Sequence, residues 1–453
     1  MAQKGTVLVV GMARSGVASA RLLAQEGWRV IINDAKPQIE GLKEKLGGIE
    51  YTDALGQDPM TLLSGVDMLV LSPVIPVFQP FARKAAEMGI DVIGEIELGY
   101  RYANRGADFI CVSGTNGKTT TTMLTGEIYK AAGKRTYVLG NIGIPITEQA
   151  LQTRPGDCVV AEVAALQLES IESFRANCIG MLNISEDHLN RFENSMQNYI
   201  AAKCRVFENQ TEQDYAVLNY DDSIVRDMAR LTKAKVVYFS RTQALNEGLF
   251  IRDGRMIWRC AGEETALVYT SELQILGAHN VENALCAAAL GLCKGLDPGA
   301  VCEALRAFQG VEHRLEFVRE LDGVRYINDS KGTNPDSTVK AVEAMTQPTV
   351  LLLGVGNYDK KSDFLPLFEA FGDTVKTVIA SGCNIPAIER AAAQAGFENL
   401  LTCGDSLESM VNMAAKAAQP GWNVLLSPAA ASWGLYEDFE HRGRVFKEIV
   451  NRL

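Results

Sequence analysis

The chain has 453 residues, 47% of them hydrophobic, which is enough for about three globular domains with cores of their own. A net charge of −11 with no long basic cluster argues against a nucleic-acid groove or an anionic membrane surface as partner. No run of about 18 apolar residues exists to span a bilayer, the N-terminal Met-Ala-Gln-Lys-Gly-Thr lacks the apolar stretch of a secretory signal, and ten cysteines without a Cys-x-x-Cys pair read as reduced side chains of a cytoplasmic protein.

Three successive segments each open with an apolar strand and a turn. In the first, a strand at 6–10 runs into Gly11-Met-Ala-Arg-Ser-Gly16 and a helix reaching Gly27, and a second strand at 28–33 ends at Asp34. This βαβ unit resembles a dinucleotide fingerprint, but Ala13 replaces the middle glycine that lets a backbone approach a pyrophosphate. The change weakens an NAD or FAD reading and leaves two others: a different nucleotide diphosphate, or plain strand–turn–helix packing. A buried strand at 67–72 leads into Ser72-Pro-Val-Ile-Pro76, a rigid loop at the strand end where doubly wound sheets bind ligands.

The second segment begins near Glu97. Residues 111–122 read Cys-Val-Ser-Gly-Thr-Asn-Gly-Lys-Thr-Thr-Thr-Thr between an apolar strand and a helix-forming stretch. A glycine-rich turn in that setting aims backbone N–H groups and a helix N-terminus at one point, a place for phosphate. Lys118 would reach the β- and γ-phosphates and the Thr119 hydroxyl would join Mg²⁺. The usual pattern is Gly, four residues, then Gly-Lys-Ser/Thr; here Val112 holds the leading position and Gly114 is the first glycine, so the loop is a short variant. The alternative is Gly-Lys-Thr in an ordinary turn.

Later strands, at 158–162 and 179–184, end at polar residues. Glu162 suits a hard cation, or is an exposed strand-end carboxylate. His188 follows in Asn183-Ile-Ser-Glu-Asp-His-Leu-Asn190, a polar loop that equally fits a surface histidine. Lys203 sits in a helical run at 199–207, where composition suggests a solvated face. Residues 245–270 read as a small antiparallel excursion and 280–295 as a buried, alanine-rich helix. Asn280 and Asn283 share one face of that helix, where amides suit a base edge or Asn280 caps the first turn.

The third segment alternates strands (325–329, 348–354, 377–382, 423–427) with helical stretches. Its polar clusters are His313-Arg314, Asn328-Asp-Ser-Lys-Gly-Thr-Asn334 and Ser427-Pro-Ala-Ala-Ala-Ser432. Arginine is shaped for phosphate, Asp329, Ser330, Lys331 and Thr333 follow a strand directly, and Ser432 could donate to a carboxylate; each cluster reads otherwise as a solvated loop. The expected fold is α/β in three domains: a Rossmann-like N-terminal domain (1–96), a central P-loop ATPase-type domain (97–310) and a C-terminal Rossmann-like domain (311–453).

Taken together, Gly114-Thr-Asn-Gly-Lys-Thr-Thr120, Gly140-Asn-Ile-Gly143, Glu162 ahead of Leu166-Gln-Leu-Glu169, Glu186-Asp-His188, Ala201-Ala-Lys203, His279-Asn-Val-Glu-Asn283, His313-Arg314 and the Asn328–Asn334 run resemble the ATP-dependent Mur ligases of peptidoglycan synthesis over nearly the whole chain. The dinucleotide-like start, Ser427-Pro-Ala-x-Ala-Ser432 and Phe439-Glu-x-Arg-Gly443 are similar to the D-glutamate-adding branch, and the Asp-Asn-Pro-Arg segment of the diaminopimelate-adding branch is missing.

The resemblance implies that ATP phosphorylates the alanyl carboxylate of UDP-N-acetylmuramoyl-L-alanine. The amine of D-glutamate then attacks the acyl phosphate, and a tetrahedral intermediate expels phosphate. It places Gly114, Thr115, Asn116, Gly117, Lys118, Thr119, Thr120 and Arg314 around phosphate, with Asn283 and Asp329 facing ATP. Thr119, Glu162 and His188 become Mg²⁺ ligands, and Lys203 a carbamylated lysine whose carboxylate holds a second Mg²⁺. Ser15, Asp34 and Lys36 hold the uridine end, Asn141 the muramoyl part, and Thr333, Lys360, Ser432 and Phe439 the D-glutamate, while Lys331 belongs where the third domain closes. A cytoplasmic monomer serving cell-wall growth and division is the corresponding expectation.

The chain departs from the family pattern at Ala164 and Ala165 (usually two serines), Val74 (glycine), Ala430 (cysteine) and Gly354-Val-Gly356 (paired glycines). None removes a charged catalytic group, so an active enzyme is expected. The competing readings are an amide ligase using another amino acid, a non-ligase NTP-dependent switch and, from the first segment, a nicotinamide oxidoreductase that Ala13 argues against.

Overall fold

Each apolar run becomes a strand of one of three sheets. The computed structural model describes residues 4–186, 189–357, 362–404 and 406–453, the side chain of Asn190 aside. By internal packing the chain divides into two compact units: residues through Glu272 with Glu282–Arg306, and Leu273–Val281 with Ala307–Leu453.

The first unit holds two sheets. In the first, β1 (Thr6–Val10), β2 (Arg29–Asn33), β3 (Thr52–Asp53), β4 (Met68–Leu71) and β5 (Asp91–Gly94) lie in the order β3-β2-β1-β4-β5, all parallel. Val7, Leu8 and Val9 are fully buried, as a parallel strand covered on both faces requires. The strand order reverses between β1 and β4, so a crevice opens beyond their C-terminal ends.

The second sheet contains β6 (Asp108–Ser113), β7 (Thr136–Gly140), β8 (Cys158–Glu162), β9 (Cys178–Met181), β10 (Tyr215–Asn219), β11 (Lys235–Ser240), β12 (Gly248–Arg252), β13 (Arg255–Cys260) and β14 (Glu263–Tyr269), in the order β14-β13-β12-β11-β10-β9-β6-β8-β7. Only its end, β12 to β14, is antiparallel, which is the excursion read in the sequence. The alanine-rich helix is Ala278–Cys293. Asn280 lies inside its first turn and donates to the Leu276 carbonyl (2.6 Å), so it does not act as the N-cap acceptor.

The helix Glu95–Tyr102 joins the two sheets through buried carboxylates. Glu95 accepts from the N–H (2.8 Å) and hydroxyl (2.9 Å) of Thr147. Glu97 accepts from the N–H groups of Glu172, Ser173 and Phe174 (2.8–3.0 Å), from the Ser173 hydroxyl (2.5 Å) and from Arg101 (2.8 Å). Burial pushes the Glu97 carboxyl up, but these donors outweigh it and hold the group below its ordinary range.

The second unit carries β15 (Glu316–Leu321), β16 (Val324–Asn328), β17 (Thr349–Gly354), β18 (Val375–Ser381), β19 (Leu400–Thr402) and β20 (Asn423–Leu426), ordered β15-β16-β20-β17-β18-β19 and parallel apart from the β15–β16 pair. Helices pack on both faces: Leu351 and Leu353 point to one apolar cluster, Val350 and Leu352 to the other. Among the described residues no helix is long and apolar enough to cross a membrane.

Candidate functional site

The glycine-rich loop turns between β6 and the helix Lys118–Ala131. Gly117 has φ +84°, and a Cβ there would lie 2.2 Å from Oδ1 of Asn283. Gly114 has φ +144°, and its Cβ would press against Leu182 at 3.0 Å. Both positions therefore demand glycine, on conformation and on space. Lys118 folds back so that Nζ donates to the carbonyls of Gly114 (3.0 Å) and Thr115 (2.8 Å). Thr121 donates to the Gly117 carbonyl (3.0 Å), so the N–H groups ahead of it form the open N-terminus of the helix.

Glu162, the last residue of β8 and 3% exposed, stands opposite this loop. It accepts from the Thr119 hydroxyl (2.9 Å) and from the side-chain amide of Asn141 (3.0 Å). Both donors are neutral, and no ion pair to Glu162 occurs among the described residues. A buried carboxylate beside a hydroxyl is a donor set that fits Mg²⁺, which takes few protein ligands beside a triphosphate. Among the described residues no three His, Cys, Asp or Glu side chains gather as a metal cage; His188 lies outside them.

Lys203 corrects the solvated-face reading. It is 2% exposed, its Nζ donates to the Gly114 carbonyl (2.7 Å), and it lies 4.9 Å from the centre of the Tyr199 ring. The helix Met196–Cys204, capped by Ser195, carries it beneath the phosphate loop. A buried lysine against a backbone carbonyl is placed by tertiary packing, not by helix periodicity.

At the first sheet, Ser15 lies in the opening turn of the helix Arg14–Gln25, after β1, and Asp34 and Lys36 follow β2, so all three occupy the C-terminal edge. Asp34 accepts from the N–H of Met12 (2.8 Å) and of Lys36 (3.0 Å), tying the two strand-end loops together. A Cβ on Gly16 would lie 1.8 Å from the Gly11 carbonyl, so this glycine permits close helix–strand packing. Val74 is 73% exposed. Arg191 holds its carbonyl (3.2 Å), pairs with Glu169 (2.5 Å) and stacks over Phe78 at 5.5 Å.

In the second unit, Asp329 follows β16 and is 5% exposed. It accepts from the Ser427 hydroxyl (2.6 Å) and the Leu315 N–H (3.3 Å). Burial, opposed by Ser427 and the positive charge of Arg314, leaves its carboxyl pushed up to about 6. His313 has φ +65°, which bends the chain just before Arg314. Lys331 lies over the Phe439 ring at 5.7 Å, and Ser330 donates to the Phe439 carbonyl (2.8 Å). Ser432 is 4% exposed in the adjoining loop. Lys360 lies outside the described residues, and Thr333 sits between this cluster and the helix Pro335–Glu343.

Three family models match the chain: the N-terminal domain of MurD-like Mur ligases over residues 5–94, the Mur ligase middle domain over 112–291, and the glutamate ligase domain of Mur ligases over 313–430. The chain belongs to the Mur ligase family. A UDP-N-acetylmuramoylalanine–D-glutamate ligase of Alkaliphilus metalliredigens is 44% identical over 99% of this chain and 98% of its own length. The ligase of the same name from Clostridioides difficile is 40% identical over 99% and 98%. Among solved structures, a UDP-N-acetylmuramate–alanine ligase (MurC) from Thermotoga maritima aligns with TM-score 0.61 at 18% identity, covering 99% of each chain. MurF from Acinetobacter baumannii aligns with TM-score 0.62 at 15% identity, covering 98% of this chain and 93% of that one. At these identities the two structures establish the shared three-domain Mur ligase fold.

Two residues of this Mur ligase escaped the sequence reading. Arg442 is fully buried on the helix Phe439–Arg452 and donates to the Ser330 hydroxyl (3.0 Å) and to the carbonyls of Ser330 (2.8 Å), Val355 (3.1 Å) and Ala430 (3.1 Å). It gathers three strand-end loops on one guanidinium, and burial lowers its pKa to about 10. Its sequence signal is the arginine of Phe439-Glu-x-Arg-Gly443. Asn183 braces the phosphate loop, and only its place after a strand hinted at a site. The departure at Ala164 has a local account: the Gln167 side chain accepts from the Ala164 N–H (2.9 Å), so the turn before helix Ala165–Leu168 closes without a serine there.

Proposed function

We propose that the chain joins D-glutamate to the alanyl carboxylate of UDP-N-acetylmuramoyl-L-alanine at the expense of ATP, as a cytoplasmic monomer serving peptidoglycan synthesis. The observation that carries this reading is the meeting of Thr119 and Asn141 on Glu162 at the ends of β6, β7 and β8, beside the loop into which Lys118 folds. Its weight comes from full-length similarity to ligases named for that substrate pair. The working division is substrate binding in 1–96, nucleotide binding in 97–310 and amino-acid binding in 311–453.

Phosphoryl transfer to a carboxylate calls mostly for positioning and for charge to meet the transferring oxygens. The Gly114–Thr120 loop would cradle the phosphates through its N–H groups and Lys118, with Arg314 adding positive charge and Asn283 and Asp329 assigned to the nucleotide. Thr119, Glu162, His188 and a carbamylated Lys203 would hold Mg²⁺. When bound, the ions neutralise phosphate charge. Carbamylation would convert a buried cation into an anion suited to that task, and the enclosed position of Lys203 supports the assignment. Ser15, Asp34 and Lys36 are assigned to the uridine end, and Asn141 to the muramoyl part. Thr333, Lys360, Ser432 and Phe439 would receive D-glutamate, oriented so that its amine attacks the acyl phosphate and phosphate leaves.

The test is phosphate release measured with each substrate omitted in turn. Release only when ATP, the UDP-sugar and D-glutamate are all present supports the ligase. Equal release without the UDP-sugar overturns it.

A further inference from the structure

The N–H groups of Thr115 and Asn116 in the phosphate loop are already engaged. Thr115 donates its N–H to the Asn183 carbonyl (2.9 Å), and Asn116 donates its N–H to Oδ1 of Asn183 (2.8 Å). The Asn183 amide donates in return to the Asn116 carbonyl (3.2 Å). One side chain thus holds both sides of a single residue at the middle of the loop and fixes the orientation of the peptides that flank it. The Thr115 hydroxyl adds a second fastening, bonded to the Ser185 N–H (3.0 Å) and carbonyl (3.1 Å) and to the Tyr199 hydroxyl (3.0 Å).

The segment that carries Asn183 is itself braced. Asn219, at the end of β10, donates to the Leu182 carbonyl (2.8 Å). Asp222 accepts from the Ile184 N–H (2.9 Å) while capping the helix Ser223–Asp227. The loop is therefore splinted to a rigid strand end, not shaped by its own short sequence.

We propose that Asn183 is a positioning residue for ATP. By occupying the N–H groups of Thr115 and Asn116 it leaves phosphate to the donors that begin at Gly117, and it holds those donors in their binding orientation before the nucleotide arrives. This explains how a loop with its leading glycine at Gly114 can do the work of a longer one: a side chain from a neighbouring strand end replaces the missing turn. An asparagine is specified because one acceptor and one donor are needed on the same planar group. The proposal rests on the reading of this loop as the nucleotide site.

The experiment is calorimetric titration of the full chain with ATP at saturating Mg²⁺, for the parent, Asn183→Ala and Asn183→Asp. Aspartate keeps the acceptor for the Asn116 N–H and loses the donor to its carbonyl. Loss of one or both bonds should raise the Kd for ATP about 10- to 100-fold, with unchanged stoichiometry and a UDP-sugar affinity within about twofold of the parent. A lower stoichiometry at unchanged Kd would mean that Asn183 only supports folding, and would overturn the proposal. So would a Kd within about threefold of the parent in either variant, or failure of both to fold. No ATP binding by the parent would instead reject the loop as a nucleotide site.

Discussion

Replacing Gly117 with alanine tests the phosphate loop at its tightest point. The residue sits at φ +84°, where a side chain costs about 1–2 kcal/mol relative to glycine. The new Cβ would also lie 2.2 Å from Oδ1 and 3.0 Å from Cγ of Asn283, and 3.2 Å from Leu182. Asn283 can rotate away, whereas φ at 117 cannot change without moving the N–H groups on either side. A loop that relaxes in the free protein must recover its conformation to bind ATP, so the strain is charged to binding. A cost of about 1–2 kcal/mol corresponds to a Kd for ATP raised about 5- to 30-fold. Combined with Asn283→Ala, the substitution should cost about the same as it does alone, because Asn283 can rotate away and the backbone strain remains in both. Titration with ATP at saturating Mg²⁺ reads both effects. Parent-like affinity in Gly117→Ala would refute the argument.

Lys203→Ala should abolish ligation and regain part of it with added short carboxylates. Labelled CO₂ should give a carbamate carbon signal in the parent that the variant lacks, and a parent without that signal would count against carbamylation. Glu97→Gln should destabilise the chain by about 2–3 kcal/mol by unpairing buried donors, lowering Tm by about 2–5 °C for a chain of this size. Because the Glu97 carboxyl is held low in the folded chain, its contribution is present above the unfolded pKa and is lost as pH falls through the folded one. The variant should therefore lose less stability on acidification below about pH 4.5. Asp329 runs the other way. With its carboxyl pushed up to about 6, ionisation costs folding energy that is absent below about pH 4, grows between pH 4 and 6, and is complete above 6. Asp329→Asn should be about 1–3 kcal/mol more stable at pH 7.5 and flatter between pH 4 and 6 in thermal melts, while ligation falls.

The sheets were legible because parallel strands buried on both faces read as unbroken apolar runs, as at Val7–Val9 and Leu351–Leu353. The phosphate loop was legible because glycine, lysine and threonine fall at fixed offsets between a strand and a helix. Glu162 was legible as a strand-end carboxylate, and its burial opposite Thr119 came only with the register of β6 against β8, which places Val112 beside Glu162. Lys203 was misread on composition because its partner, the Gly114 carbonyl, is 89 positions away. Asn183 meets Asn116 across 67 positions, and Arg442 reaches Ser330 across 112. In each case the deciding contact is tertiary, and no local pattern encodes it.

The central claim is tested most directly by phosphate release from ATP in the presence of UDP-N-acetylmuramoyl-L-alanine, run across a panel of D- and L-amino acids with product mass measured in each. The account predicts release and an amide product with D-glutamate, and neither when the amino acid or the UDP-sugar is left out. Release that proceeds equally without the UDP-sugar, or an amide formed with a different amino acid in preference to D-glutamate, would contradict it.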